Sequence, residues 1–336
     1  MQFAYHCKNE LPQMPVVESL YQAPKWLPNP HWQTIYPNLF RKIKGITYRR
    51  ERIDTPDGDF LDLDWSRAQG QSQKLVILSH GLEGGADRAY ILGMVKAFNE
   101  QGWDALAWNL RGCSGEPNQT LQFYHHGITE DLDLVIDHAL RERNYKEVVL
   151  IGFSLGGNLN LKYLGEKGAN LDARIVKSVS FSAPCDLASS APLLQNRNNW
   201  MYEMYFKRKL TKKMKLKSQQ FPKKLPLEML KKVDSLLDFI DIYLAPIHNF
   251  KNAEDYFNQV SARFYLDKVT IPSLIVNAVN DSFLSPECSP VALAQTHPAI
   301  FVENPITGGH CGFPPGRKQG LYWSEKRALE FVLQDE

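Results

Sequence analysis

The chain has 336 residues, of which 43% are hydrophobic and 23% are charged, and its formal net charge at pH 7 is +2. This is the composition of an ordinary globular protein, with enough chain to bury a large core in one big domain or two. Because the total charge is close to neutral, it excludes a protein-wide electrostatic field that would attract nucleic acid.

Cysteine usage and the N-terminus indicate the compartment. The chain has five cysteines, which are Cys7, Cys113, Cys185, Cys288 and Cys311. None lies in a C-x-x-C pair, which predicts a reducing environment, no disulfide framework and no zinc site. Residues 1–10 lack the apolar core of a signal peptide, and no stretch approaches about 18 consecutive apolar residues. We therefore expect a cytoplasmic protein without a transmembrane helix.

Residues 1–45 are rich in proline and aromatic residues, and the prolines predict that no long helix forms there. Trp26 and Trp32 are too large to be left in water without a reason. The segment is therefore interpreted either as an arm packed on the main domain or as a wall of a binding cleft. Residues 46–53 and 60–65 alternate in polarity on either side of a turn, which predicts an antiparallel hairpin with one solvated face.

Continuous apolar runs then alternate with amphipathic stretches. Buried strands are predicted at residues 75–78, 103–108, 148–151 and about 175–182. Helices are predicted between them, with Asp87 and Thr129 as N-terminal caps of the first two. This alternation predicts an α/β fold with a mainly parallel central sheet, helices on both faces and the antiparallel hairpin at one edge.

The alternation stops at about residue 186 and resumes at about residue 265. After that point the sequence predicts a strand at 271–279, a short helix at 286–295, a strand at 300–303 and a closing helix at 318–333. We therefore expect four segments, namely an arm at 1–45, a first core part at 46–185, an inserted helical cap at 186–264 and a second core part at 265–336.

The insertion contains a strongly basic stretch. Residues 195–232 hold twelve lysines and arginines against two acidic residues, Glu203 and Glu228, a net charge of +10. Apolar side chains are interleaved with these charges, which predicts a helical cap with an apolar underside. Its basic side chains form either a solvated face or a weak contact with an anionic membrane surface. The lysines expected to face outward in the second interpretation are Lys212, Lys213, Lys215 and Lys217.

The main chemical signal is the pattern Gly-x-Ser-x-Gly at residues 152–156, between a predicted strand and a predicted helix. Gly152 and Gly156 meet the steric demand of a very tight turn. Such a turn raises the hydroxyl of Ser154 above the edge of the sheet, at the N-terminus of the next helix. This context favours a catalytic serine over an ordinary glycine-rich turn.

A serine hydroxyl needs a base to take its proton and a carboxylate to orient that base. In the doubly wound hydrolase topology the acid and then the histidine follow the serine along the chain, each after a strand. Asp281 and His310 fit this order. Asp267 lies before its strand and Asp133 lies before the serine, so both are less suitable acids. Cys311 is rejected as a nucleophile because its neighbour His310 is more simply explained as the base of Ser154 than as a group that lowers the pKa of the thiol.

The stretch at residues 80–84 follows the first buried strand, where an oxyanion-binding loop is expected. The backbone N–H groups of Leu82 and Leu155 are predicted to converge on an oxyanion. His80 is interpreted as a loop-stabilising residue, and the two histidines at 125–126 as structural. Since no phosphate-binding loop, dinucleotide fingerprint or metal-ligand motif occurs, no cofactor and no metal are predicted.

These motifs together resemble the α/β-hydrolase superfamily over residues 46–336, and more narrowly its YheT-like branch, the AB hydrolase 4 family. The motifs that carry the resemblance are PHWQTI at 30–35, HGLEG at 80–84, RGCSG at 111–115, GFSLGGN at 152–158, ND at 280–281 and GHCGF at 309–313. The resemblance implies the α/β-hydrolase fold and a triad of Ser154, Asp281 and His310.

The favoured function is a serine hydrolase that cleaves carboxylic esters, either short- to medium-chain acyl esters or acylglycerols, through an acyl-enzyme on Ser154. A close alternative is an acyltransferase, in which an alcohol instead of water resolves the same intermediate. An alternative of another class is a non-catalytic protein that binds nucleic acid or membranes through residues 195–232. It is less favoured because the triad and oxyanion loop are all present and no nucleic-acid-binding motif occurs.

Overall fold

The computed structural model describes residues 15–316 and 320–334. The strands are β1 (Val16–Val17), β2 (Arg49–Asp54), β3 (Phe60–Ser66), β4 (Lys74–Ser79), β5 (Asp104–Asn109), β6 (Glu147–Phe153), β7 (Ile175–Phe181), β8 (Ser273–Val276) and β9 (Ile300–Glu303). The α-helices are α1 (Pro30–Phe40), α2 (Ala89–Asn99), α3 (Thr129–Glu142), α4 (Leu155–Lys167), α5 (Leu187–Leu194), α6 (Trp200–Gln220), α7 (Leu236–Phe239), α8 (Ala245–Ile247), α9 (Ala253–Val260), α10 (Val291–Ala294) and α11 (Trp323–Leu333).

The nine strands of the described residues form one sheet in the order β1-β9-β8-β7-β6-β4-β5-β3-β2. The first seven strands of this order, which begin with β1 and end with β5, pair with their neighbours in parallel. The last two, β3 and β2, form the other edge of the sheet and pair in antiparallel orientation. The predicted α/β-hydrolase fold is therefore confirmed. The order reverses at β4, which lies between β5 and β6. In open α/β sheets, ligands bind at the carboxyl ends of strands beside such a reversal.

Helices cover both faces of the sheet, as predicted. One apolar cluster packs alternate strand residues such as Ile77 and Leu150 against α3 and α4, with Leu132 and Leu159 among the contacts. A second cluster packs Val76 and Ile151 against α2 and α11 on the opposite face. Because β4 and β6 are buried on both faces, their sequences are continuous apolar runs.

Two predicted helix caps are wrong. Helix α2 begins after Arg88 without a side-chain cap, and Asp87 is exposed. Helix α3 begins at Thr129 itself, and the preceding Ile128 occupies the cap position. The hydroxyl of Thr129 donates instead to Glu166 Oε2 at 2.6 Å, so a tertiary contact replaces the local cap.

Three predicted elements near the C-terminus differ in extent. The strand expected at 271–279 is limited to β8, and the helix expected at 286–295 is divided into a 3₁₀ turn at Pro286–Cys288 and the short helix α10. The closing helix α11 begins at Trp323. Its predicted start at Lys318 lies outside the described residues.

The antiparallel hairpin is present, but the expectation of a solvated face is wrong. β3 is buried along its whole length because it lies between β2 and β5. In the register, Asp62 lies opposite Arg52 and Asp64 lies opposite Arg50. Each pair forms a bidentate ion pair. Because the arginines neutralise these aspartates, the aspartates can be buried within the sheet.

The arm contains structure that its proline content did not predict. Strand β1 pairs in parallel with β9 at the sheet edge, and α1 is an eleven-residue helix. Asn29 caps α1 by accepting the N–H of His31 at 2.8 Å. Pro30 lies in the first turn, where an N–H group would have no partner inside the helix, so its absence costs nothing. A second proline, Pro37, lies in the helix interior.

The segment between β7 and β8 contains no strand within the described residues and is mostly helical, from α5 to α9. It has an apolar cluster of its own, which includes Met214, Phe239 and Tyr256 and contacts Phe123 of the core. The longest helix, α6, spans most of the basic stretch. None of the helices described is both long and apolar enough to cross a membrane.

Candidate active site

Ser154 stands at a sharp turn between β6 and α4. Its backbone has φ 54° and ψ −120°, a strained conformation for a residue with a side chain. The two glycines of the motif make the turn sterically possible. A Cβ atom at Gly152 would lie 2.3 Å from the carbonyl oxygen of Gly156, and one at Gly156 would lie 2.2 Å from that of Ser79. The turn therefore has the geometry of a nucleophile elbow.

The structure brings the three predicted triad residues together. His310 Nε2 lies 2.9 Å from Ser154 Oγ, and His310 Nδ1 lies 2.8 Å from Asp281 Oδ2. Asp281 is buried, and its other oxygen accepts the N–H of Phe283 at 2.9 Å. In this arrangement Nδ1–H donates to the carboxylate, which leaves Nε2 to accept the proton of the serine hydroxyl.

Electrostatics favour a positive charge on His310. Burial of the ring lowers the pKa of His310, but the Asp281 carboxylate and, after it, the side chain of Cys311 outweigh burial through charge and hydrogen bonding, so the pKa is raised above its ordinary value. Asp281 thus stabilises the imidazolium that forms when the histidine takes a proton.

The loops that carry Asp281 and His310 are held by helix α1, which sequence reasoning did not link to the site. Gln33 Oε1 accepts from the N–H of Gly308 at 2.9 Å and from the side chain of Asn280 at 3.0 Å. The hydroxyl of Thr34 accepts the N–H of His310 at 2.9 Å. Of the two interpretations of the arm, the structure shows packing, here against the acid and base loops. No described residue of the arm lines the cavity at Ser154.

The predicted oxyanion loop lies against the serine. A Cβ atom at Gly81 would be 3.0 Å from Ser154 Cβ. His80 is buried, and burial lowers its pKa to about 4. The neutral ring donates from Nδ1 to the carbonyl of Gly81 at 2.8 Å and accepts the N–H of Leu110 at Nε2, at 3.1 Å. The predicted loop-stabilising role of His80 agrees with these contacts.

A buried carboxylate in this loop was also missed by sequence reasoning. Glu83 has φ 54° and is almost fully buried. Its Oε1 atom accepts the hydroxyl of Tyr124 at 2.7 Å and the ammonium of Lys213 on α6 at 2.8 Å. The backbone N–H of Glu83 donates to the same tyrosine oxygen at 2.9 Å. Helix α6 and the oxyanion loop are therefore joined by a buried ion pair.

This arrangement corrects the orientation expected for the basic lysines. Lys212 and Lys215 are exposed, but Lys213 forms the ion pair just described. Lys217 is buried and donates to the carbonyls of residues 118 and 120, and burial lowers its pKa to about 8. Positions 213 and 217 are one helical turn apart and share the inward face of α6.

An apolar cavity of about 110 Å³ begins at Ser154 and His310 and extends under the helical insertion. Leucine and aromatic side chains from the insertion form a large part of its wall, among them Leu187, Leu194, Phe206, Leu210, Leu236, Phe239 and Leu244. Leu82 and Leu155 lie at its catalytic end. The cavity is therefore suited to an apolar chain attached to a group that reacts at the serine.

Aromatic contacts fix the base at the cavity mouth. The ring of Phe283 stacks on the imidazole of His310 with centroids 4.2 Å apart and an interplanar angle of 23°. Tyr202 of α6 packs edge-on against Phe283 at 4.7 Å. The N-terminal turns of α6 therefore support the orientation of His310 through Phe283.

The two neighbouring histidines have structural contacts. The hydroxyl of Tyr256 lies 2.8 Å from Nδ1 of His126, and the rings of His125 and His248 meet with centroids 4.4 Å apart. Burial lowers the pKa of His126 to about 4 and lowers that of His125 well below its ordinary value. Both rings therefore line the cavity in their neutral form.

One group of described side chains could hold a metal ion away from this cavity. The ligand atoms of Glu51, His138 and Glu142 lie within 4.8 Å of one another, on β2 and α3. Glu51 already accepts the indole N–H of Trp65 at 2.8 Å, and Glu142 faces Arg67 at 3.8 Å. These contacts give the two carboxylates structural partners, and His138 Nε2 lies 3.2 Å from Glu51 Oε1.

Comparisons with known proteins identify the family of the chain. A family model described as alpha/beta hydrolase fold matches residues 74–316. YheT of Escherichia coli, provisionally named an esterase, is 34% identical over 309 residues, which cover 90% of either chain. Mouse phospholipase ABHD3 is 27% identical over 310 residues, 90% of this chain and 75% of its own length.

A solved structure of the Pyrococcus furiosus esterase Pf2001 superimposes with a TM-score of 0.55 over 94% of this chain and 97% of that one. At 18% identity this likeness shows the fold alone. The family model and the similarity to YheT together place the sequence more narrowly. The chain therefore belongs to the α/β-hydrolase fold family, in its YheT-like branch.

Proposed function

We propose that the protein hydrolyses carboxylic esters through an acyl-enzyme on Ser154. The broader assignment, a carboxylic ester hydrolase, rests on its relatives, which include an esterase and a phospholipase. One observation supports the finer assignment most strongly. The Ser154–His310–Asp281 hydrogen-bond chain stands at the mouth of an apolar cavity.

In the proposed reaction, Ser154 Oγ attacks the acyl carbon while His310 Nε2 takes the hydroxyl proton. The tetrahedral oxyanion accepts the backbone N–H groups of Leu82 and Leu155. Each donor of this kind typically lowers the barrier by about 3–4 kcal/mol. His310 then gives its proton to the leaving alcohol. In the second half of the reaction, water attacks the acyl-enzyme while His310 takes its proton, and return of that proton to Ser154 Oγ releases the acid.

The remaining residues position the base. Asp281 holds the Nδ1–H tautomer and stabilises the imidazolium, and Phe283 fixes the plane of the ring. Gln33 and Thr34 hold the two loops at the correct separation. Under this proposal residues 186–264 act as a cap, and residues 1–45 as a brace on a core formed by 46–185 and 265–336.

The acyl chain is proposed to occupy the apolar cavity. Each buried methylene contributes roughly 0.8 kcal/mol, so a cavity of this kind selects for chain length. Its volume of about 110 Å³ favours short to medium chains over long ones. The alcohol portion then faces the cavity mouth near Phe283.

A chain-length series of p-nitrophenyl esters tests this placement. Replacement of Ala191, which lines the cavity on α5, by tryptophan is expected to lower kcat/KM for an octanoyl ester roughly tenfold or more, because several methylenes lose their site. The acetyl ester should be affected much less. Ala188→Trp is the matched control, since Ala188 is exposed on the same helix and does not line the cavity.

Equal loss for all chain lengths in Ala191→Trp would contradict the acyl placement. Running the series in aqueous ethanol and measuring ethyl ester alongside free acid separates hydrolysis from acyl transfer. Under the proposal, free acid is the main product.

The exposed face of α6 is proposed to contact an anionic membrane surface. This face presents Met201, Met204 and Tyr205 in the first two turns, followed by Arg208, Lys212 and Lys215. These positions follow the helical repeat and lie on one side. Apolar side chains beside basic ones fit the boundary of an anionic bilayer, where each basic residue contributes up to about 1 kcal/mol.

Vesicle co-sedimentation tests this contact. Bound protein should increase with the fraction of phosphatidylserine and decrease with salt. Arg208→Gln/Lys215→Gln should reduce binding severalfold, because it removes two charges from this face. Arg141→Gln/Lys146→Gln, at exposed positions near the start of β6, is the charge-matched control. Protein that stays in the supernatant with strongly anionic vesicles at low salt would show that α6 is only a lid.

A further inference from the structure

A second cavity, of about 460 Å³, lies beside the oxyanion loop. It is bounded by residues 83–88 of that loop, by residues 112–118 after β5, and by α6. We call it the basic cavity. It shares Phe123 with the cavity at Ser154 but contains none of the triad residues. Its volume falls in the range of about 300–1,000 Å³ that is typical of small-molecule sites.

The walls of the basic cavity carry an excess of positive charge. Three acidic residues line it, against six basic ones, which are Arg50, Arg88, Lys209, Lys212, Lys213 and Lys217. Two of the acidic side chains have cationic partners. Glu83 pairs with Lys213, and Glu116 pairs at 3.0 Å with Arg52, which is not a wall residue. The third, Asp87, is exposed, and its carboxylate lies 4.0 Å from Arg88.

Two of the basic side chains have no carboxylate partner within the described part of the chain. Lys209 and Lys212 lie one turn apart on α6, and neither forms an ion pair there. The contact of Lys209 among the described residues is with the ring face of Tyr205, whose centroid lies 5.1 Å from the ammonium of Lys209. Arg88, on the facing loop, donates one N–H to the carbonyl of Glu83 and approaches Asp87 no closer than 4.0 Å. These three cations are therefore available to a ligand.

We propose that the basic cavity binds a phosphate group through Lys209, Lys212 and Arg88. A phosphate monoester or pyrophosphate carries more than one negative charge and several acceptor oxygens, so it can satisfy two ammonium groups and a guanidinium together. A single carboxylate would leave part of the positive charge uncompensated. The cavity has room for more than the phosphate itself, so the ligand class is a phosphorylated small molecule or a lipid with a phosphomonoester headgroup.

Calorimetric titration of the full chain with inorganic pyrophosphate, at constant ionic strength, tests this site. Saturable binding is expected, and Lys209→Gln/Lys212→Gln should weaken it roughly tenfold for each lysine lost. Arg208→Gln/Lys215→Gln removes the same charge from the same helix but outside the cavity wall, and it should leave the dissociation constant unchanged. Lys213 is kept, because its loss would leave Glu83 buried without its cation.

Absence of saturable binding at millimolar pyrophosphate would overturn the proposal. Equal weakening in both double variants would also overturn it, because the binding would then reflect general charge rather than this cavity. Competition with dihexanoyl phosphatidic acid, a soluble lipid phosphomonoester, and with glycerol 3-phosphate identifies the source of the phosphate. Displacement of pyrophosphate at lower concentration by the lipid than by glycerol 3-phosphate indicates a lipid headgroup, whereas equal or weaker displacement by the lipid indicates a free phosphorylated compound. Circular dichroism of each variant verifies that α6 is still formed.

Discussion

Replacing Ser154 by alanine is expected to lower kcat for a soluble ester by roughly 10⁵-fold or more, as loss of the nucleophile does in other serine hydrolases. The side chain contributes one hydrogen bond, to His310, and the strained turn depends on Gly152 and Gly156 rather than on the hydroxyl. The fold should therefore be retained. Stopped and continuous assays with p-nitrophenyl butyrate measure the loss, and thermal unfolding reports on the fold.

Cys311 supplies the most informative control for this variant. Its thiol is adjacent to the base, and its backbone N–H donates to Ser182 at 2.9 Å. Cys311→Ser should retain most of the activity, since the thiol neither forms nor breaks a bond in the proposed reaction. Activity of Ser154→Ala above about one per cent of the parent, removed by thiol alkylation, would assign the nucleophile to the cysteine instead.

Asp281→Asn is expected to lower kcat by about 10⁴-fold, the loss measured for the corresponding change in a well-studied serine protease. An amide cannot compensate the charge of the imidazolium, and it can favour the wrong tautomer of His310. Asp133→Asn is the matched control, because Asp133 contacts Tyr163 and Lys167 on the outside of α4. The control should keep near-normal turnover.

The same variant should also change the pH profile. The reaction needs neutral His310, so activity rises with pH as this histidine loses its proton. Asp281 raises the pKa of His310, and its replacement removes that effect. The acidic limb of kcat/KM should therefore move to lower pH in Asp281→Asn. Near-normal turnover with an unchanged limb would mean that another carboxylate orients the histidine.

The sequence was sufficient to predict the parts of the site that depend on local chain geometry. The Gly-x-Ser-x-Gly turn predicted the position of Ser154, because only glycine fits where a Cβ would approach a carbonyl within about 2.3 Å. Parallel strands end at the same edge of the sheet, so Asp281 and His310 could be placed beside the serine from their positions after β8 and β9.

The supporting residues could not be predicted, because they act over long separations in sequence. Gln33 and Thr34 contact residues 275 and 276 positions away, and neither has a distinctive local pattern. The PHWQTI motif of the family resemblance contains both residues, but it does not indicate which distant residues they contact. The strand β1 depends likewise on a distant pairing with β9.

The charge pattern of the sequence predicts the wrong solvent exposure for two pairs of side chains. Lysines at 213 and 217 were expected outside, yet one pairs with Glu83 and the other donates to backbone carbonyls. Asp62 and Asp64 were expected in water, yet arginines on β2 neutralise them. In both cases the buried charge has a partner from another segment, which polarity along the chain cannot reveal.

Covalent labelling with a fluorophosphonate tests the central claim most directly. The reagent phosphonylates a serine only when a base activates it, so the result reports on the assembled site rather than on the residue alone. We expect tandem mass spectrometry of the labelled protein to find a single modified peptide, with the adduct on Ser154, and we expect no adduct in Ser154→Ala. An adduct on another residue, or an unlabelled protein that still hydrolyses esters, would contradict an acyl-enzyme on Ser154.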